Sequence, residues 1–242
     1  MEKYANSTKS QEKSQENRFS VSDITMELLE KLGALPVYHA KHTIYCLNIV
    51  GQIEGHSLLP ETCKTTKYEH LLPLLAAIEQ ERTVEGLLIL LNTVGGDVEA
   101  GLALAEMIAG MELPSVSLVL GGGHSIGVPL AVSAKQSLIV PSASMTVHPV
   151  RMNGTLMGVP QAMHCVEGMQ ERILQFVASH SHISRDALYA LMTRTDALVM
   201  DFGSVLDGQQ AVKVGLIDSV GSISDAIHAL YAQIEAAQTR YP

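Results

Sequence analysis

The sequence predicts an α/β fold of repeated βαβ units, and three observations carry that prediction. Gly86 to Leu91 (GLLILL) is a continuous apolar run, the pattern of a strand covered on both faces of a parallel sheet. Apolar, β-branched stretches alternate along the chain with segments whose apolar residues recur at threes and fours. Gly121 to Ala134 (GGGHSIGVPLAVSA) joins the two kinds of segment: Val116, Leu118, Val119 and Leu120 lead in, three glycines remove side chains from the backbone, and a small-residue apolar run leads out. A strand that turns so sharply into a helix leaves one side chain at its apex. Here that residue is Ser125, in the pattern G-x-S-x-G that marks a serine nucleophile held on a tight turn.

Composition bounds the rest. The 242 residues suffice to bury one full core, and 47% hydrophobic against 17% charged residues is a globular balance. A formal net charge of −9 argues against nucleic acid as a general partner, because phosphate binding needs a surplus of Lys and Arg. Cys46, Cys63 and Cys165 are odd in number and form no close pair, which reads as reduced thiols in a cytoplasmic protein. No apolar run approaches the ~20 residues of a membrane span, and the polar N-terminus lacks the apolar segment of a secretory signal. The expected organisation is a flexible polar tail over residues 1–22 and one domain over 23–242.

In chain order, residues 23–41 fit a short helix ending at Gly33 and Pro36, and Thr43 to Val50 a first strand. Residues 51–67 read as an exposed loop. Tyr68 to Gln80 places Leu71, Leu72, Leu75 and Ile78 on one helical face. After the strand at Gly86, Gly95 and Gly96 make a turn, Asp97 caps a helix, and Leu102, Ala105, Ile108 and Ala109 line it. Ser115 to Leu120 is the strand that feeds the Ser125 turn. Short strands follow at Ser137–Val140 and Met145–His148. Pro160 to Ser181 is a long helix with Met163, Val166, Met169, Ile173, Phe176 and Val177 on one stripe. Ser184 caps a further helix to Met192, and Asp201 to Leu206 is a strand or turn. Gln209 to Val214 is a helix closed by Gly215, Leu216–Ile217 a last strand, and Ser224 to Ala237 a last helix.

A serine hydroxyl needs a base to take its proton and donors to hold the developing oxyanion. The backbone N–H of Ile126 follows the nucleophile on the turn. Gly95–Gly96 ends the preceding strand, where a backbone N–H can approach a substrate carbonyl. His148 lies 23 residues on (148 − 125), held extended by Pro149. The same features are also those of a plain turn before a helix and of a packed histidine. His124 adjoins Ser125, but neighbouring side chains on a turn diverge. His180-x-His182 lacks a third metal ligand at a recognised spacing, so neither metal nor cofactor is expected.

Taken together, NTVGGDVEAGLALAEMI, GGGHSIGVPLAVSAKQSLIVPSASMTVHPV and QQAVKVGLID resemble the Clp protease proteolytic subunit family over residues 43–230. IVGQIEGH, KTTKYEH, HPVR and MQERI resemble the ClpP-like translocation-enhancing (TepA) type within that family. The resemblance implies a ClpP/crotonase-type fold and a serine peptidase with Ser125 as nucleophile and His148 as general base and acid. Gly96 and Ile126 would be the backbone oxyanion donors. Asp201 would be the triad acid, from Met200-Asp-Phe-Gly, with Asp196 in reserve; Asp218 more naturally ends a strand. It further implies a protruding handle helix from Pro160, a homo-oligomeric ring, a polypeptide substrate, and an ATP-driven unfoldase or export machinery as partner. The chain has no Walker pattern of its own. It departs from the family in Thr93-Val94, where Ser-Pro is usual, in residues 51–67 and in its tail. Three rival readings stand beside this one. An α/β-hydrolase esterase would pair Asp201 or Asp218 with His228. A scaffold of the same fold would assist translocation with little cleavage. A crotonase-type acyl-CoA enzyme would need no Ser–His pair.

Overall fold

The structure is a computed structural model that describes residues 41–151, 158–195 and 203–240. The tail and helix expected before residue 41 lie outside the described residues. A mostly parallel sheet forms the centre of the domain, with strand order β2-β1-β3-β4-β5-β8. Its strands are β1 (Ile44–Glu54), β2 (Thr65–Lys67), β3 (Gly86–Gly96), β4 (Ser115–Gly123), β5 (Gln136–Ile139) and β8 (Ser219–Val220). Two more, β6 (Ser144–Val147) and β7 (Ser204–Asp207), leave this path: β6 touches β4 at Gly122↔Ser144 and pairs antiparallel with β7. The helices are α1 (Tyr68–Gln80), α2 (Val98–Gly110), α3 (Gly127–Val132), α4 (Val159–Ser179), α5 (Arg185–Met192), α6 (Gly208–Lys213) and α7 (Ile223–Arg240).

The apolar run of β3 follows from its central place. Leu87, Leu88 and Ile89 point alternately to the two sheet faces, and all three are buried. One face packs Leu47, Ile49, Leu87 and Ile89 against Leu75 of α1, Leu104 and Ile108 of α2 and Leu130 of α3. The other packs Ile44, Leu88, Val116 and Leu118 against Ala226, Leu230 and Ile234 of α7. Each fully buried Leu or Ile contributes about 1.5–3 kcal/mol relative to exposure, so both layers are held by dispersed apolar contact. Asp97 and Ser184 cap α2 and α5 as their sequence positions predict, accepting the N–H groups of Ala100 and Ala187.

Three expectations are corrected. Residues 51–67 are not one exposed loop: β1 runs on to Glu54, and Thr65–Lys67 return as β2 beside Gln52–Glu54. The buried Glu54 carboxylate folds the connection back by accepting the Leu59 N–H (3.2 Å) and meeting Lys67 Nζ at 3.6 Å. Second, β3 and β4 continue to Gly96 and Gly123, beyond their apolar runs, because their glycines still carry ladder pairs with neighbouring strands. Third, the last strand is Ser219–Val220 rather than Leu216–Ile217, whose N–H groups both turn back to the Ala211 carbonyl at the end of α6. Among the described residues no helix is long and apolar enough to cross a membrane.

Candidate active site

The turn from β4 into α3 places Ser125 at its apex with φ of 57°, the one non-glycine at positive φ among the described residues. That left-handed conformation costs roughly 1–2 kcal/mol for a residue with a Cβ, and the surroundings hold it. The Ser125 N–H donates to the Thr146 carbonyl (2.8 Å), and the N–H groups of Gly127 and Val128 donate to the carbonyls of His124 (2.9 Å) and Ser125 (3.0 Å). The hydroxyl is thereby presented at the N-terminus of α3, with the Ile126 N–H in the turn beside it.

The neighbouring strand end comes within contact of this apex. Gly95 has φ of 89°, and a Cβ there would stand 2.7 Å from Ser125 Cβ and 2.8 Å from the His124 carbonyl oxygen. Only glycine fits both the conformation and the space. Gly96 lies against the backbone of Ile53 on the β1 side. The buried Thr93 accepts the Gly95 N–H at its hydroxyl (3.0 Å) while donating that hydroxyl's proton to the Gly51 carbonyl (2.6 Å).

His148 follows β6 directly. Its Nδ1 is 2.7 Å from the Pro149 carbonyl, a bond that makes Nδ1 the protonated nitrogen and leaves Nε2 an acceptor. Gly203, just before β7 and at φ of 130°, packs on it: a Cβ there would be 2.4 Å from the Val147 carbonyl oxygen and 2.9 Å from His148 Cβ. Ser125, Ile126, Gly95, Gly96 and His148 all line one cleft of about 430 Å³. Its lining mixes apolar and polar groups: Val94, Val98, Ile173 and Val177 of α4, Leu188 and Met192 of α5, with Gln52 and Arg151. Arg172 fastens α4 to the first turn of α2 through two contacts to Glu99 (2.6 and 3.0 Å).

The structure therefore brings Ser125, Ile126, Gly96 and His148 together, whereas Asp201 and Asp196 both lie outside the described residues. His124 turns to the β6 side, where its Nδ1 meets the Thr146 hydroxyl (2.9 Å); burial pushes its pKa below the ordinary histidine value. His180 stacks on Phe176, while His182 meets Asp218 at 3.3 Å, so the two rings serve separate contacts. Asp218 accepts the N–H and hydroxyl of Ser137 (2.8 and 3.1 Å), stapling β5 to the approach of β8. His228 is exposed on α7 and is not part of the cleft wall. The residues that sequence reasoning missed are Thr93, Gly203 and the α4 and α5 wall. Thr93 is legible as a departure from a familiar motif; the others act across separations that no local pattern signals.

Comparison with known proteins agrees with this architecture. The chain is 52% identical over 218 residues to "Translocation-enhancing protein TepA" of Halalkalibacterium halodurans, covering 90% of this chain and 85% of that one. It is 26% identical over 211 residues to "Putative protease MJ0651" of Methanocaldococcus jannaschii, covering 73% of this chain and 64% of that one. The profile of the Clp protease family matches residues 42–224, a span that holds the sheet, the Ser125 elbow and the whole cleft. A match of that extent, over a fold whose strand ends converge on one serine, makes the chain a member of the Clp protease family.

Proposed function

We propose that the protein is a serine peptidase that cleaves unfolded polypeptides or peptides through an acyl-enzyme. The observation that carries this reading is the convergence of Ser125, His148, Gly96 and Ile126 on one cleft. In the reaction Ser125 Oγ attacks the scissile carbonyl as His148 Nε2 takes its proton. The tetrahedral oxyanion is held by the N–H groups of Gly96 and Ile126, and His148 returns the proton to the leaving amine. Water then repeats the sequence on the acyl-enzyme. The Gly96 donor is supported by strand geometry: the Asp97 N–H goes to the Ile53 carbonyl (3.0 Å), and successive strand N–H groups face opposite edges. Gly96 then donates away from β1, on the side where β4 has ended.

For the triad acid we propose Asp201. Gly203 touches His148, and Asp201 is two residues earlier, a span of no more than about 7 Å. Asp196 stays the alternative, since the Gly203 N–H also bonds the Arg194 carbonyl (2.8 Å). Ring assembly through α4 is part of the same proposal, supported by the exposed apolar Val159 and Met163 on its first turns. An ATP-driven unfoldase or export machinery would deliver the substrate.

A second reading, a scaffold that assists translocation with little cleavage, is favoured by the His148 Nδ1 bond to Pro149, which occupies the nitrogen that a carboxylate would hold. One experiment separates the two: incubate the purified protein with a fluorophosphonate probe and map the adduct by mass spectrometry, with Ser125→Ala and His148→Ala alongside. The peptidase reading expects label on Ser125, lost in both variants, and a fall in peptide turnover of at least ~10³-fold. A folded protein that stays unlabelled refutes it in favour of the scaffold.

A further inference from the structure

Thr93 links the end of β1, the end of its own strand β3 and the turn into α3. Its hydroxyl carries one proton, given to the Gly51 carbonyl at 2.6 Å, so toward Gly95 it can only accept, and the Gly95 N–H reaches it at 3.0 Å. Its carbonyl accepts the His124 N–H at 3.1 Å, one residue before the nucleophile. Its methyl fills the space that Gly127 leaves at the start of α3, where an added Cβ would stand 2.6 Å from Thr93 Cγ2. The residue is 1% exposed, so water cannot replace these bonds. It also stands at a register shift: Gly51 pairs with Thr93 and Gln52 with Gly95, which leaves Val94 bulged out at the lip of the cleft.

From this arrangement we propose that Thr93 is a positioning residue for the oxyanion donors: its hydroxyl holds the Gly95 N–H on the β1 side and fixes the bulge, so that Gly96 is the glycine that faces a substrate carbonyl. The proposal rests on the peptidase reading for its catalytic consequence, but the clamp itself is a property of the fold. Without the hydroxyl, the buried Gly95 N–H loses its bond to Thr93 and the Gly51 carbonyl loses that donor, so the bulge is held less firmly. Here threonine adds a methyl that wedges the strand end against α3.

The test pairs Thr93→Val, which keeps the shape and removes the hydroxyl, with Thr93→Ser, which keeps the hydroxyl. Amide hydrogen exchange over residues 92–97 reads the clamp without any need for activity. The expected result is faster exchange at Gly95 in Thr93→Val, with protection close to that of the parent protein in Thr93→Ser. Unchanged protection in Thr93→Val overturns the inference. Equal loss in both variants overturns it too, because packing by the methyl would then do the work. Probe labelling of Ser125 and peptide kinetics read the consequence. Thr93→Val should lower the labelling rate and kcat by about 10–100-fold, the range for a displaced oxyanion donor, with KM changed by less than about threefold, and Thr93→Ser should restore both. A Thr93→Val protein that loses Gly95 protection yet labels at the parental rate overturns the positioning role. If the parent protein itself stays unlabelled, the peptidase reading fails, and the clamp is judged by exchange alone.

Discussion

Replacing Gly95 by alanine tests the contact between the end of β3 and the Ser125 turn. The added Cβ would stand 2.7 Å from Ser125 Cβ and 2.8 Å from the His124 carbonyl oxygen, against an ordinary contact of at least 3.4 Å. The strand end and the elbow must therefore separate by about 0.7 Å or distort by an equivalent amount. Neither partner is the far end of a flexible side chain, and the elbow is anchored from both sides through Thr93 and Thr146. Alanine at φ of 89° adds strain of roughly 1–2 kcal/mol, and overpacking a filled site adds about 1–3 kcal/mol. The variant should lose about 2–5 kcal/mol, which for a domain of this size lowers Tm by roughly 4–20 °C. On the proposed peptidase mechanism, catalysis should suffer independently of folding, because a misplacement near 1 Å between Ser125 and the proposed oxyanion donors costs on the order of 100-fold. The assay is thermal unfolding followed by fluorophosphonate labelling of Ser125 well below Tm. A Gly95→Ala protein with parental Tm and labelling rate would refute the contact between β3 and the elbow on which the site is built.

Two other outcomes rest on particular residues. Gly168 lies in the middle of α4, where an added Cβ meets nothing within 4 Å; Gly168→Ala should stabilise by about 0.5–1 kcal/mol, read as a small rise in Tm. For His124 the pH dependence has a definite sign. Burial lowers its folded pKa below 6.5, so as pH falls the unfolded chain takes up the proton first. Its contribution to stability is complete above about pH 6.5 and is lost progressively below. Chemical unfolding between pH 7.5 and about 5.5 should show stability falling with pH, with a shallower slope in His124→Gln; equal slopes would show that the ring is not desolvated at the elbow.

Part of this site was legible because its parts are local. G-x-S-x-G after a β-branched run specifies a strand-to-helix apex through backbone sterics alone, and Ser125 occupies it with the positive φ such a turn demands. Gly95–Gly96 and His148-Pro149 are likewise read from residues that restrict their own backbone. Thr93 could be noticed as a departure but not interpreted, since its partners Gly51 and Gly127 are 42 and 34 residues away. Gly203 was visible only as the end of Met200-Asp-Phe-Gly; its role could not be read there, because what it excludes is a side chain on the back of His148.

The sequence by itself determined the α/β class, most of the element order and two side chains, Ser125 and His148, that the fold brings to one cleft. Periodicity, capping and glycine placement are properties of neighbouring residues, and they do not depend on where the rest of the chain goes. Tertiary structure alone decided which strand ends meet. The parallel order β1-β3-β4 sets Gly95 against Ser125, and the antiparallel β6–β7 pair sets Gly203 against His148. It also turned residues 51–67 from a loop into a strand extension and a new edge strand, held by the Glu54 carboxylate. Those outcomes depend on close packing between segments far apart in the chain, where a single Cβ decides what fits, and no local pattern carries that information.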